Sequence, residues 1–131
     1  MNIASSAPVA LVTGGSRGIG AAISRRLAAD GFAVAINYAG RHEEAEALAN
    51  ELMAKGGQAI ALQADVANPQ SVQSLFEAIE ARFGGVDVVV NSAGVLELAS
   101  LAESEDTLFD RLIAINLKGA FNVLRESARR V

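Results

Sequence analysis

The sequence predicts an α/β fold with a doubly wound parallel sheet. Apolar runs of strand length alternate along the chain with segments in which apolar residues recur at helical spacing. The first apolar run leads directly into a glycine-rich stretch, residues 13–20, and a helical pattern follows it. No repeat, low-complexity tract or linker interrupts this order. We therefore expect a single domain over residues 1–131, with about four strands in the order 3-2-1-4 that right-handed crossovers dictate.

The first half of the chain is expected to form two strands and two helices. The strands cover residues 8–13 and 32–37. Gly31 ends the first helix, whose apolar stripe is Ile19, Ala22, Ile23 and Leu27. The second helix ends at Gly56 and Gly57, and its apolar face is Ala45, Leu48, Ala49, Leu52 and Met53.

The second half of the chain continues the alternation, with a third strand over residues 58–63. Asn68 and Pro69 form a cap and first-turn pair for the third helix. The apolar face of that helix is Val72, Leu75, Phe76, Ile79 and Phe83. Residues 86–91 are apolar on both faces, as is typical of a central parallel strand. A long helix then begins near residues 104–107, with an apolar face of Phe109, Leu112, Ile113, Leu117, Ala120, Phe121 and Leu124.

Composition excludes several classes of protein. With 51% hydrophobic and 20% charged residues, the 131-residue chain is typical of a globular domain. The absence of cysteine and the single histidine exclude a disulfide framework, a cysteine-based metal site and a histidine cluster. The net charge of −4 argues against a nucleic-acid partner. Residues 1–8 carry no targeting segment and no stretch is long enough to span a membrane, so we expect a cytoplasmic protein without a membrane partner.

The glycine-rich stretch predicts a dinucleotide site. Its glycines let the chain turn sharply and leave no Cβ in the way of a pyrophosphate. The N–H groups in the first turn of the following helix, together with the helix dipole, favour the negative charge of that pyrophosphate. The order strand, glycine loop, helix and second strand strengthens the prediction. The candidate residues of this loop are Gly14, Ser16, Arg17, Gly18, Ile19 and Gly20.

The end of the second strand indicates which cofactor is preferred. A site for NAD usually has a carboxylate there, which accepts the ribose 2′-hydroxyl group. Here the strand ends in Asn37 and Tyr38, which join the candidate site, and the nearest acid is Glu43 in the next helical pattern. Arg17 and Arg41 are cations suited to a 2′-phosphate, so NADP(H) is favoured over NAD(H). The alternative is that both arginines are ordinary solvated charges.

Four motifs together resemble the classical short-chain dehydrogenase/reductase family. They are the glycine spacing G-x-x-x-G-x-G, Asp65-Val66, Asn91-Ser92-Ala93-Gly94 and Asn116-Leu117-Lys118-Gly119. The resemblance covers nearly the whole chain from about Pro8, and it is nearest to 3-oxoacyl-(acyl carrier protein) reductases. It implies a Rossmann fold and an oxidoreductase that transfers hydride between a nicotinamide cofactor, here favoured to be NADP(H) by the two arginines, and a small-molecule carbonyl or alcohol. It also implies a homo-oligomer for the complete protein.

The resemblance assigns roles to residues at the ends of the third and fourth strands. The Asp65-Val66 pair borders the adenine in the family, although Asp65 alternatively serves only as a turn or cap residue. Asn91, Ala93 and Gly94 support the central sheet and the cofactor. Where the family usually has Asn-Asn-Ala-Gly, this chain has serine at position 92.

Asn116 is the candidate catalytic residue. It falls within the apolar stripe of the last helix, three residues after Ile113 and four before Ala120. A buried amide without partners costs about 1 to 3 kcal/mol, so a use for it is expected. The resemblance implies that Asn116 holds a water molecule in a proton relay beside the active-site lysine. The alternative is an amide satisfied by a neighbouring backbone carbonyl group.

The catalytic Ser and Tyr-x-x-x-Lys pair of the family have no counterpart in this sequence. The single tyrosine, Tyr38, is followed four residues later by His42, and neither Lys55 nor Lys118 has a tyrosine four residues before it. In the family, that tyrosine protonates the carbonyl oxygen of the substrate, and the lysine lowers the pKa of the tyrosine. We therefore expect an N-terminal, cofactor-binding portion that has no turnover alone. The alternative is a nucleotide-binding or interaction module that is not an enzyme.

Overall fold

A computed structural model describes residues 7–131, so most of the N-terminal stretch considered for targeting lies outside the described residues. The strands are β1 (Val9–Thr13), β2 (Ala33–Tyr38), β3 (Gln58–Gln63) and β4 (Val88–Asn91). They form one parallel sheet in the order β3-β2-β1-β4, which confirms the predicted fold class and strand order. In register, Ala10 of β1 lies opposite Val34 of β2 and Val88 of β4.

Helices connect the strands and follow the last one. They are α1 (Gly18–Ala29), α2 (His42–Ala54), α3 (Pro69–Phe83), α4 (Asp106–Leu112) and α5 (Gly119–Arg130). A π-helical segment, Ile113–Lys118, joins α4 to α5, and a short 3-10 turn that the sequence did not predict covers Leu101–Glu103. Within residues 7–131, none of these helices combines the length and the apolar character that crossing a membrane requires.

The core has two layers because successive side chains of a strand point to opposite faces of the sheet. Leu11 of β1 belongs to the layer formed with α3 and α5, and Val12 belongs to the layer formed with α1 and α2. The first layer is centred on Val72, Leu75, Phe76, Ile79 and Val123. The second is centred on Val34, Ile36, Leu48, Ala49 and Leu52. The two layers therefore pack the sheet between helices on both of its faces.

The apolar stripe predicted for α1 is partly wrong. Ile19 is 76% exposed and Ala22 is exposed, whereas the buried face of the helix is Gly20, Ala21 and Ser24. Small residues let the start of α1 lie directly against the loop after β1. Ser24 seals this contact, since its Oγ donates to the carbonyl oxygens of Gly15 and Gly20. In α2, Met53 is also exposed and not part of the apolar face, because the neighbouring Leu52 occupies the core position.

The C-terminal part of the fold differs most from the prediction. β4 begins two residues later than expected, at Val88, and forms an edge of the described sheet. The apolar face predicted for the last helix is largely exposed, and α5 instead buries Gly119, Asn122, Val123 and Glu126. The reason lies at the start of α5. A Cβ on Gly119 would lie 2.7 Å from Cγ2 of Val66, so the glycine permits close packing on that side.

Two groups of ion pairs tie neighbouring helices together. Arg25 of α1 donates from Nε to Oε2 of Glu51 on α2 at 2.8 Å, and this hydrogen bond lowers the pKa of the Glu51 carboxyl. Arg130 of α5 bonds Glu126 on its own helix at 2.8 Å and Glu80 of α3 at 2.6 Å. The hydrogen bond to Glu126 raises the pKa of Arg130. The first group therefore joins α1 to α2, and the second joins α5 to α3.

Candidate functional site

The carboxyl ends of the strands open into a cleft of about 700 Å³. Open α/β sheets place their ligands at this edge. Five segments meet there, namely the loop after β1, the end of β2 with the loop that follows, the turn after β3, the segment after β4 and the π-helical segment. The cleft is lined by Gly14, Ser16, Arg17, Gly18, Ile19, Gly20, Asn37, Tyr38, Ala39, Gly40, Arg41, Ala64, Asp65, Val66, Ser92, Ala93, Gly94, Val95 and Ile115.

Three of the four glycines in residues 13–20 differ in what a side chain would meet there. Gly14 has a φ of +59°, and its ideal Cβ would lie 2.8 Å from the Cα of Ala93, so the loop there touches the segment after β4. A Cβ on Gly20 would collide with the carbonyl oxygen of Gly14. Gly18 has a φ of +54°, and its ideal Cβ would meet nothing within 4 Å. Gly14 and Gly20 are therefore required for packing, whereas Gly18, which lines the cleft, has open space where a Cβ would lie.

The N-terminus of α1 faces the cleft without a side-chain cap. Arg17 occupies the cap position in an extended conformation and makes no side-chain cap hydrogen bond. The first N–H groups of a helix have no partner within that helix, so those of Gly18, Ile19 and Gly20 depend on other acceptors. The helix dipole adds a partial positive charge at the same place. This arrangement is suited to an anion, and to a phosphate in particular.

Asn37 holds the loop after β1 in place through hydrogen bonds from its side chain and its backbone. Its side chain is buried, and Oδ1 accepts a hydrogen bond from the Gly14 N–H at 3.2 Å. Its backbone oxygen accepts from the Gly15 N–H at 2.9 Å. On the other side, Nδ2 donates to the carbonyl oxygen of Ala64 at 3.3 Å. Asn37 thus links the loop after β1 to the turn after β3, and its side-chain amide is used within the protein.

Thr13, for which the sequence predicted no role, joins the ends of the two neighbouring strands β1 and β4. The side chain is fully buried, and Oγ1 accepts hydrogen bonds from the N–H groups of Ser92 at 3.0 Å and Ala93 at 3.1 Å. The same hydroxyl donates to Oδ1 of Asn91 at 3.1 Å. The sequence did contain a signal for this role, because Thr13 is a polar residue at the end of an otherwise apolar strand. Asn91 therefore braces the site through Thr13 and does not line the cleft.

The two arginines selected as cations converge on a single carboxylate. Arg41 Nη1 lies 3.2 Å from Oε1 of Glu44, and Arg17 Nε lies 3.9 Å from Oε2 of the same side chain. All three side chains are substantially exposed. Arg41 also has a φ of +58°, a left-handed conformation that is uncommon for a residue other than glycine. The sequence pointed to Glu43 as the nearest acid, but in the structure the carboxylate beside the arginines is that of Glu44.

In the turn after β3, Asp65 has the turn role that was considered for it, and it also lies at the cleft. Its Oδ1 accepts from the Ala67 N–H at 3.0 Å, which is a turn of the kind that Asp commonly makes. Asp65 is nevertheless exposed and lines the cleft. Val66 beside it is buried, and its carbonyl oxygen accepts from Nδ2 of Asn122 at 2.8 Å. Helix α5 thus contacts the turn after β3 through this hydrogen bond.

Asn116 is not the buried amide that the stripe indicated, because it is exposed and lies in the π-helical segment. Its Oδ1 accepts from the Val95 N–H and its Nδ2 donates to the Val95 carbonyl oxygen, both at 2.8 Å. The amide is therefore satisfied by backbone groups, as the alternative interpretation held. Asn116 does not line the cleft, but Val95 does. Single π turns within helices are frequent at functional sites.

Tyr38 is already engaged within the protein. Its hydroxyl oxygen lies 2.6 Å from Nδ1 of His42, and Nε2 of that imidazole lies 4.0 Å from Oε1 of Glu46. The tyrosine ring is buried and lines the cleft near Gly40 and Arg41. Tyr38 and His42, which have the spacing but not the lysine of Tyr-x-x-x-Lys, thus form a local contact at the start of α2.

The structure brings the predicted cofactor residues to one place, with the exception of Asn91. The residues that line the cleft without having been predicted are Ala39, Gly40, Ala64, Ser92, Val95 and Ile115. They flank selected residues in sequence or reach the cleft through the fold, as Ile115 does from the π-helical segment. Within residues 7–131, no group of histidine and acidic side chains is arranged to hold a metal ion.

A parallel sheet in the order 3-2-1-4, with a glycine-lined cleft at its carboxyl edge, is a Rossmann-like architecture. The family model described as short chain dehydrogenase matches residues 8–131, and the chain belongs to this family. Members are oxidoreductases that bind NAD(P) and act on small molecules. The resemblance inferred from the four motifs is thereby confirmed.

Known relatives match the chain over most of its length. The 3-oxoacyl-(acyl-carrier-protein) reductase FabG of Staphylococcus aureus strain Mu50 is 43% identical over 118 residues, which are 90% of this chain and 48% of the relative. A solved short chain dehydrogenase from Burkholderia cenocepacia J2315, in complex with NADP, is 42% identical, with a TM-score of 0.90, and the match covers 95% of this chain and 51% of that one. A dehydrogenase/reductase from Sinorhizobium meliloti 1021 is 40% identical, with a TM-score of 0.91, over 95% of this chain and 49% of that one. The chain thus spans about half the length of these relatives.

Proposed function

We propose that this chain is the NADP(H)-binding part of an oxidoreductase that transfers hydride between a nicotinamide and a small-molecule carbonyl or alcohol. The observation that carries the proposal is the cleft at the strand ends, where the uncapped start of α1, the two arginines and the turn after β3 meet. The relatives support it, because one is a 3-oxoacyl reductase by name and another was solved with NADP.

The residues of the cleft fit a dinucleotide phosphate by chemistry and by space. Gly18 lines the cleft at the uncapped start of α1, and the space where its Cβ would lie is open, so a pyrophosphate would find room there. Arg17 and Arg41 would bind a 2′-phosphate, and Asp65 and Val66 would border the adenine. Bound there, the cofactor would supply or accept the hydride, and the chain would bind and orient it.

Proton transfer needs residues that this sequence does not contain. The single tyrosine is Tyr38, which is bonded to His42. Asn116 holds Val95 at the cleft and would order the relay that a Ser and a Tyr-x-x-x-Lys pair complete. We therefore propose that the 131 residues bind the cofactor but do not turn over substrate alone.

A direct experiment is a titration of the purified chain with NADPH and NADH, followed by the fluorescence of the reduced nicotinamide. NADPH is expected to bind about tenfold more tightly, because charge-assisted hydrogen bonds contribute about 1.5 to 3 kcal/mol and exposure favours the lower end. Arg41→Asn should remove most of this preference, since asparagine tolerates a left-handed conformation without the charge. Equal affinities for the two cofactors in the wild-type chain would contradict the proposal.

The second candidate function is a nucleotide-binding or interaction module without catalysis. The observation that favours it is the absence of a Tyr-x-x-x-Lys pair from the sequence. Reading the gene beyond the codon for Val131 distinguishes the candidates. An in-frame Ser followed by Tyr-x-x-x-Lys supports the oxidoreductase, and a stop codon or an unrelated sequence supports the module.

A further inference from the structure

The carboxylate of Glu44 lies between Arg17 and Arg41, the two cations proposed to bind the 2′-phosphate. Glu44, in the first turn of α2, lies 3.2 Å from Arg41 and 3.9 Å from Arg17, measured between its carboxylate oxygens and the nearest guanidinium nitrogens. Arg17 comes from the loop after β1 and Arg41 from the loop after β2, so only the fold brings them together. Both arginines line the cleft, and Glu44, which contacts them, is not among its lining residues.

This arrangement affects a phosphate and a hydroxyl group differently. A 2′-phosphate that approaches the arginines must share their N–H donors with Glu44 and is repelled by its charge. A ribose 2′-hydroxyl group is neutral and meets no such repulsion. Because all three side chains are exposed, solvent and salt weaken the effect but do not abolish it.

Building on the proposed NADP(H) function, we propose that Glu44 is a specificity-determining residue. It neutralises part of the charge of Arg17 and Arg41 and so reduces the preference for NADP(H) over NAD(H). The preference is then set by three residues from three segments, and two cations beside the cleft are not sufficient to predict it. Removal of the Glu44 charge should strengthen the binding of a 2′-phosphorylated ligand selectively.

The sharpest test uses two ligands that differ only in the 2′-phosphate, adenosine 2′,5′-bisphosphate and adenosine 5′-phosphate. In Glu44→Gln, the dissociation constant of the bisphosphate should fall about two- to fivefold, which is the range that exposed ion pairs produce. The dissociation constant of adenosine 5′-phosphate should stay unchanged, and added salt should shrink the difference between variant and wild type. Titration calorimetry on the whole chain provides both constants without any activity assay.

Glu43→Gln is the matched control. Glu43 lies in the same first turn of α2, carries the same charge, and makes no ion pair within the described part of the chain. The substitution Glu43→Gln should therefore leave the affinity for the bisphosphate close to the wild-type value. In the double variant Arg41→Asn/Glu44→Gln, the gain from Glu44→Gln should shrink, because one of the neutralised cations is gone. Thermal unfolding of each variant verifies that the fold is retained.

Three results would overturn the inference. Weaker binding of the bisphosphate in Glu44→Gln would show that the carboxylate positions the arginines productively. An equal gain in Glu43→Gln would reduce the effect to net charge, and unchanged binding in Glu44→Gln would show that Glu44 has no role. In these three cases, a wild-type preference for NADPH would leave the proposed function intact. If the wild-type chain binds neither the bisphosphate nor NADPH, both proposals fail together.

Discussion

The side-chain amide of Asn116 pairs with both backbone polar groups of Val95, through two hydrogen bonds of 2.8 Å each. Asn116 lies in the π-helical segment, and Val95 lies in the segment after β4. An asparagine is suited to this pairing because its amide carries a donor and an acceptor side by side. The contact anchors Val95, which lines the cleft, to the last run of helices.

Asn116→Asp should therefore destabilise the chain. An aspartate still accepts from the Val95 N–H but has no donor for the Val95 carbonyl oxygen, and the loss should be about 1 kcal/mol. Urea unfolding measures it. Asn50→Asp is the control, because Asn50 is an exposed asparagine of α2 without a side-chain hydrogen bond among the described residues. Equal midpoints for both variants would show that the amide pairing is not required.

Gly18→Val and Gly20→Val should fail in different ways. A Cβ on Gly18 enters open space, so Gly18→Val should fold, at a cost of about 1 to 2 kcal/mol for its left-handed backbone, and should lose dinucleotide binding. A Cβ on Gly20 collides with the Gly14 carbonyl oxygen, so Gly20→Val should not fold. Circular dichroism and NADPH titration separate the two outcomes.

Gly56→Val is the control for the strain at Gly18. Gly56 has a φ of +90°, its Cβ would also meet open space, and it does not line the cleft. This variant should lose a similar amount of stability and keep its affinity for NADPH. Retained binding in a folded Gly18→Val variant would show that the loop is only a turn.

Thr13→Val should cost about 1 to 3 kcal/mol, because it leaves the N–H groups of Ser92 and Ala93 without their acceptor. Valine has nearly the same shape, so the loss reports the hydroxyl group and not a cavity. Thr13→Ser keeps the hydroxyl group and should lose less. Urea unfolding of both variants provides the comparison. A serine variant that is less stable than the valine variant would refute the role of the hydrogen bonds.

The exposed apolar face of the last helices predicts self-association. Leu117, Phe121 and Leu124 are exposed on this face, and β4 is an edge strand of the described sheet. Exposed apolar surface and an unpaired strand edge both favour association. Sedimentation at micromolar concentration should show oligomers. Replacing the three residues with serine should reduce them, whereas Met53→Ser, at an exposed apolar residue of α2, should not. A monodisperse monomer of the wild-type chain would contradict the prediction.

The sequence alone was sufficient for the parts of the fold that local patterns determine. Strand order followed from the alternation of elements, and the cap at Asn68 was confirmed, since its side chain accepts from the N–H groups of Gln70 and Ser71. The orientation of α1 was partly missed, because close packing of Gly20 and Ser24 outweighed the burial of Ile19. The contacts of Thr13 with Ser92 and of Glu44 with Arg17 join residues far apart in the chain, and periodicity carries no signal for them.

The central claim is that the cleft at the strand ends binds NADPH, and hydrogen–deuterium exchange with mass spectrometry tests it most directly. With saturating NADPH, backbone amides should become protected in peptides that cover residues 14–20, 37–41 and 64–66, which contribute to the lining of the cleft. Peptides from the middle of α3, on the other side of the sheet, should not change. Protection confined to these cleft segments is the predicted result. No protection, or protection centred on α3 and α5, would contradict the account.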